Sequence, residues 1–170
     1  MKSDELLFNE AKKLHIGGNV EDAQQIYLQL LKKNSNNSNL LFLIGTTYVQ
    51  QKNYQKGKKY LNISIKINNN FAESYNSRGV IFAEEGEYQN AINDYDKALS
   101  LKQNYFDANL NKAVALRNIS EFNESIKHFE ICIKLTPNDS KIYNNLGNLC
   151  KNLKKYNNAK KYYTESIRLN

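Results

Sequence analysis

With 170 residues, 41% hydrophobic and 24% charged, the chain has room for one ordinary domain or a short array of repeats. One proline and seven glycines leave too little turn chemistry for a hairpin-rich sandwich or barrel, and the longest apolar run, Leu40 to Ile44, cannot span a bilayer. Two cysteines, a net charge of +7 and no apolar N-terminal stretch with a cleavage site predict a helical, cytoplasmic protein whose modest basic excess suits acidic partners.

A step of 34 residues organises the chain. It joins Gly45, Gly79, Ala113 and Gly147, then Ala23, Gly57, Ala91, Ser125 and Ala159. Tyr27, Leu61, Tyr95, Phe129 and Tyr163 keep the same step, as do Val20, Tyr54, Tyr88, Phe122 and Tyr156. So do Asn36, Asn70, Asn104 and Asn138. Asparagine makes up 27 of the 170 residues, about one in six, so four of four by chance is roughly one in a thousand. The array therefore divides into repeats 4–37, 38–71, 72–105, 106–139 and 140–170, within a single domain covering 1–170.

In chain order, repeat one carries Ala11 where later repeats favour glycine, and His15 closes its first helix. Repeat two brings a net charge of +5, with Lys56, Lys58 and Lys59 near its turn and second helix. Repeat three is the clearest helically: Tyr75, Arg78, Gly79 and Phe82 precede Glu84-Glu85-Gly86-Glu87, then Ala91, Tyr95, Ala98 and Leu99 follow. Repeat four contains His128, Cys132 and the single proline, Pro137. Repeat five carries +6, including Lys154, Lys155, Lys160 and Lys161, and Cys150 on its first helix. Each repeat reads as two helices of about fourteen residues joined by a short turn. The small residues mark close helix contact, and the recurrent asparagine is expected to cap the first helix.

Asn70-Phe71-Ala72-Glu73-Ser74-Tyr75-Asn76-Ser77-Arg78-Gly79 with Gly86-Glu87-Tyr88-Gln89-Asn90-Ala91 resembles the tetratricopeptide repeat. So does Tyr143-Asn144-Asn145-Leu146-Gly147 with Tyr156-Asn157-Asn158-Ala159, and the likeness covers almost the whole chain. It implies an all-α fold, an α-solenoid or right-handed superhelix of five stacked helix-turn-helix units, with first helices lining a concave groove. The wording of the repeats is also similar to those preceding glycosyltransferase domains of the O-GlcNAc-transferase kind and some sulfotransferase-like domains.

The two histidines lie on different repeats, and the cysteines lack zinc spacing, so no catalytic constellation, cofactor site or metal site is expected. Most aromatics fall on the packing columns, which disfavours nucleic acid stacking as their role. The expected partner is a protein or peptide. Members that grip acidic chaperone tails use a lysine-asparagine-asparagine-lysine-arginine set. Here the corresponding residues are Asn76, Val80, Asn111, Lys141 and Asn145, of which only Asn111 and Lys141 fit. A second device of the family, an asparagine ladder bonding a peptide backbone, maps to Asn9, Leu43, Ser77, Asn111 and Asn145. The expected groove residues are Asn9, Lys12, Asn76, Ser77, Asn111, Lys141, Asn144, Asn145 and Asn148. The primary expectation is thus a non-enzymatic protein-interaction module. The alternatives are a substrate-targeting region of a larger enzyme and a self-associating scaffold. The last repeat shows no capping segment after Tyr162, Tyr163, Ile167 and Leu169, which predicts a piece of a longer protein or self-association through that end. Met1-Lys2-Ser3-Asp4 reads as a natural start, with Ser3 or Asp4 capping the first helix.

Overall fold

The computed structural model describes residues 3–170, and every regular element among them is an α-helix. The five first helices are α1 (Asp4–Ile16), α3 (Ser38–Gln50), α5 (Ala72–Glu84), α7 (Phe106–Asn118) and α9 (Ser140–Asn152). The second helices are α2 (Val20–Lys33), α4 (Tyr54–Ile67), α6 (Tyr88–Leu101), α8 (Phe122–Leu135) and α10 (Tyr156–Arg168). Every first helix begins 34 residues after the previous one, as does every second helix. Ser3 caps α1, its side chain accepting from the Leu6 N–H at 3.3 Å. The start read at Met1 and Lys2 lies outside the described residues.

Inside each repeat the first helix ends in the same way. The N–H groups of Asn19, Asn53, Glu87, Glu121 and Lys155 reach back to the carbonyls of Leu14, Tyr48, Phe82, Leu116 and Cys150. This is the Schellman pattern, which needs one residue in the left-handed region. That residue is Gly18, Lys52, Gly86, Ser120 or Lys154, with φ of 85°, 58°, 80°, 63° and 57° in order. Glycine takes this geometry without a Cβ clash; the two lysines and the serine do not.

Between repeats the link is a four-residue turn. Its closing bonds run from Asn37, Phe71, Tyr105 and Asp139 N–H to the carbonyls of Asn34, Asn68, Lys102 and Thr136. Asn36, Asn70, Asn104 and Asn138 stand third in these turns, one residue too early to cap. The N-cap positions of α3, α7 and α9 are Asn37, Tyr105 and Asp139. The expected capping role is therefore corrected: the column marks a turn position that asparagine tolerates well. Pro137 precedes Asn138 at the second turn position, where its fixed φ is already suitable.

The chain divides into two compact halves, residues up to Ile81 and residues from Phe82 to Asn170, so that α5 crosses the division. In the N-terminal half Ala11, Ala23, Tyr27, Leu30, Leu40 and Ile44 form a buried cluster. Here the small column has a steric reason. A Cβ on Gly45 would stand 2.8 Å from Leu61 Cγ, and Leu61 is wholly buried. A Cβ on Gly57 would stand 3.3 Å from the Gly45 carbonyl oxygen. Two polar contacts join helices in this half: Gln24 Nε2 donates to Thr47 Oγ1 at 2.7 Å, and Ser64 Oγ to the Ser38 carbonyl at 2.9 Å.

In the C-terminal half Ala113, Phe129, Cys132, Ile142, Leu146 and Leu149 form the corresponding cluster. Ser125 Oγ donates to the Ala113 carbonyl at 2.7 Å, which is where the helices of repeat four cross. Ser166 Oγ donates to the Ser140 carbonyl at 2.8 Å, repeating the bond that Ser64 makes. Tyr156, placed with the packing aromatics by its period, is 65% exposed and contributes little to the core.

Two measurements follow from these contacts. Gly45→Leu forces side-chain atoms into the space of Leu61 and should lower stability by about 1–3 kcal/mol in urea unfolding. An unchanged midpoint would show that α3 and α4 can separate without cost. Conversely, Lys52→Gly, Ser120→Gly and Lys154→Gly remove left-handed strain and should each raise stability by about 0.5–1 kcal/mol. A lowered melting temperature in the triple variant would contradict that reading.

Candidate peptide-binding surface

The first helices carry the side chains singled out above, and each half presents its own set. On α1, Asn9 and Lys12 are exposed, and the Lys12 ammonium lies 5.8 Å from the Phe8 ring centroid. Further along this half, Phe42 and Phe71 meet edge to face at 5.1 Å. Ser77 is half-buried, whereas Asn76 is only 7% exposed and sits inside the packing.

In the C-terminal half, Lys141, Asn144, Asn145 and Asn148 share one face of α9, being spaced i, i+3, i+4 and i+7. Lys141, Asn144 and Asn148 are exposed; Asn145 is half-buried, as is Asn111 on α7. Two of these amides are oriented by donors from the protein. Arg117 Nη1 donates to Asn145 Oδ1 at 3.4 Å, and the Tyr163 hydroxyl donates to Asn148 Oδ1 at 2.8 Å. A guanidinium can only donate, so it settles which end of the Asn145 amide points inward. Each oxygen thus has a donor from the protein, and the Nδ2 groups of Asn145 and Asn148 have no hydrogen-bond partner among the described residues. With the Lys141 ammonium beside them, this face of α9 is rich in donors and suits carbonyl or carboxylate oxygens.

Arg117 was not among the residues expected from sequence. Its bond to Asn145 joins neighbouring repeats 28 residues apart, off the 34-residue step.

The titratable candidates are packed as structural groups. Cys132 occupies the column of Ser64 and Ser166, with its Sγ 3.9 Å from the Phe106 carbonyl. Burial first, then Asp107 and Asp139, push its thiol up to about 12; burial also raises Cys150. Both are kept as unreactive thiols at neutral pH. No group of three or more His, Cys, Asp or Glu able to hold a metal ion occurs among the described residues. His128 pairs with Asn109, Nδ1 to Oδ1 at 2.8 Å, while Asn109 Nδ2 donates to the Tyr105 carbonyl at 3.0 Å. Asn109 is 1% exposed, so its oxygen must accept and the His128 proton must sit on Nδ1. Burial, then Lys112, hold His128 below the ordinary imidazole value; burial does the same to His15 at the end of α1. No helix among the described residues is long and apolar enough to cross a membrane.

Family models of the tetratricopeptide repeat match residues 72–105 and 140–170, and residues 38–71 and 106–139. No curated protein matches the chain. Among solved structures, MamA 41-end from Desulfovibrio magneticus RS-1 aligns with a TM-score of 0.85 at 16% identity, over 98% of this chain and 94% of that one. A crystal structure of MamA gives 0.83 at 23% identity, over 94% and 93%. YrrB, described as a TPR protein with an unusual peptide-binding site, gives 0.76 at 17% identity, over 96% and 84%. At such identities the likeness is one of fold, an all-α solenoid of repeats.

The histidine pair yields a pH dependence. Both imidazoles bind protons less readily when folded, so the unfolded chain takes up more protons as pH falls through the ordinary value of 6.5. Their stabilisation is present above that value and is lost below it. The urea midpoint should therefore fall between pH 7 and pH 5, and fall less in His128→Gln. An equal fall in the variant would remove His128 from the explanation.

Proposed function

The chain belongs to the tetratricopeptide repeat family, and from that premise we propose that it is a protein-interaction module holding an extended partner segment against its first helices. The observation that carries this reading is the donor face of α9. There Asn145 and Asn148 have their oxygens bonded to Arg117 and Tyr163 and their amide nitrogens left for a partner. Such a face pairs with main-chain carbonyls whatever side chains the partner carries, so it favours an extended segment over one folded sequence. Asn144 and Lys141 extend the same face, and Asn111, one repeat earlier, continues the amide column. Asn9, Lys12 and Ser77 are the counterpart in the N-terminal half.

In this reading the module works in the cytoplasm and carries out no reaction itself. The same surface would serve as a substrate-targeting region if joined to a glycosyltransferase or sulfotransferase-like domain. Self-association is the second reading, supported by Ile167, which is 76% exposed on α10.

Peptides selected against the whole chain from a random phage library provide the test. In Asn145→Ala and Asn148→Ala, affinity for the selected peptides should fall about three- to tenfold for each amide, the worth of one net hydrogen bond. Both side chains are at least partly exposed, so the fold should be retained. Peptide binding that survives the double variant would overturn the amide-face reading.

A further inference from the structure

The second helices carry a separate surface. In the C-terminal half a groove of about 730 Å³ is lined by α8, α10 and one residue of α9. Its apolar part consists of Ile133, Tyr143 and Tyr162, with the two tyrosine rings 6.5 Å apart and inclined at 44°. Lys134, Lys160 and Lys161 also line it, and none of these three forms an ion pair among the described residues. The two acids of the groove are engaged: Glu130 Oε1 accepts from the Tyr162 hydroxyl at 3.1 Å, and Glu165 binds Arg168 at 2.5 Å. The three lysines of the groove thus outnumber its two carboxylates, one of which is already paired with Arg168.

Part of this lining recurs three repeats earlier. In the N-terminal half a groove of about 710 Å³ is lined by Leu31, Lys32 and Tyr60, which correspond in register to Ile133, Lys134 and Tyr162. In sequence the triplet Lys58-Lys59-Tyr60 returns as Lys160-Lys161-Tyr162, and of the first triplet Tyr60 lines the N-terminal groove. Repeats three and four replace the triplet with Ile92-Asn93-Asp94 and Ile126-Lys127-His128.

We propose that the groove between α8 and α10 docks an acidic segment of a partner protein bearing aliphatic or aromatic side chains along one face. Charge complementarity selects this occupant. Carboxylates would meet the three ammonium groups while the apolar side chains cover Ile133, Tyr143 and Tyr162. A purely polyanionic ligand would leave that apolar surface uncovered. Stacked bases fit less well, since the two tyrosine rings already pack against each other. This surface is distinct from the amide face of α9, and the two readings stand or fall separately.

The test is fluorescence anisotropy on the full chain with four labelled probes. They are an amphipathic peptide of Glu with Leu and Phe on one face, its counterpart with Ser for Leu and Phe, its counterpart with Lys for Glu, and an oligo-dT strand. The first should bind saturably, and the other three at least about tenfold more weakly. Raising salt should weaken the first without abolishing it, because exposed charges are screened beyond about 8 Å at physiological ionic strength while apolar contact is not. Lys134→Glu, Lys160→Glu and Lys161→Glu together should cost at least about tenfold, and the neutral plug Thr164→Trp should also weaken binding. Circular dichroism melts check that both remain folded; Asn145→Ala with Asn148→Ala should leave this binding unchanged. The proposal is overturned if the native chain does not bind the first peptide or if the charge reversal has no effect. It is equally overturned if the serine peptide or oligo-dT binds as well, or if sedimentation shows a self-assembly that the reversal dissolves, since the occupant is then a second copy.

Discussion

The close approach of the two helices in a repeat is the constraint on which the other features depend. At the crossing in repeat two, a Cβ on Gly57 would stand 3.3 Å from the Gly45 carbonyl, and one on Gly45 would run into Leu61. In repeat four the distance is set by a hydrogen bond, Ser125 Oγ to the Ala113 carbonyl at 2.7 Å. In repeat five Gly147 leaves room for the ring of Tyr163, since a Cβ there would be 2.5 Å from Cε1. The two small columns thus meet the same demand by absence of a side chain, by a methyl group or by a hydroxyl.

That large column shows how a hydroxyl can be accommodated or not. Leu61 and Phe129 fill the space with no polar atom to satisfy, and both are wholly buried. Tyr163 carries a hydroxyl and places it on Asn148 at 2.8 Å. Tyr27 is wholly buried among Phe8 and His15, and its hydroxyl has no hydrogen-bond partner. A buried hydroxyl left unpaired costs about 1–3 kcal/mol, which here offsets part of what the ring contributes by packing. In repeat five the same atom does something else: by bonding Asn148 Oδ1 it ties that amide to the second helix and leaves its nitrogen without a partner among the described residues.

Much of this was legible in the sequence because a repeat is a local device read many times over. The helices start on the 34-residue step, the small columns are buried, and so is the large column up to Phe129, with Tyr163 half-buried. Periodicity fixes position along a helix; it says less about what lies over that position. Asn76 and Asn144 share a column, yet the first is buried and the second exposed. The asparagine column before the first helices was regular enough to suggest a cap, but one residue of offset separates an N-cap from the turn preceding it. Contacts between repeats were hidden for a related reason. The bond from Arg117 to Asn145, and the meeting of Glu130 with Tyr162, join different columns of neighbouring repeats.

Columns that hold the helices together and columns that face outward can vary independently, and the two proposed surfaces use that freedom differently. On α9 the donors are oriented from within, by a guanidinium and a phenol whose own hydrogen bonds fix the amides before any partner arrives. Order arranged in advance lowers the entropy a partner must surrender on binding. Between α8 and α10 the groove is ordered by the packing of Tyr143 against Tyr162, while its lysines remain on flexible stems. Such cations contribute attraction at a distance and tolerate variation in the partner, whereas the apolar floor rewards shape. A module with a geometrically strict face on its first helices and an electrostatically permissive one on its second could hold one segment in register while drawing in another by charge.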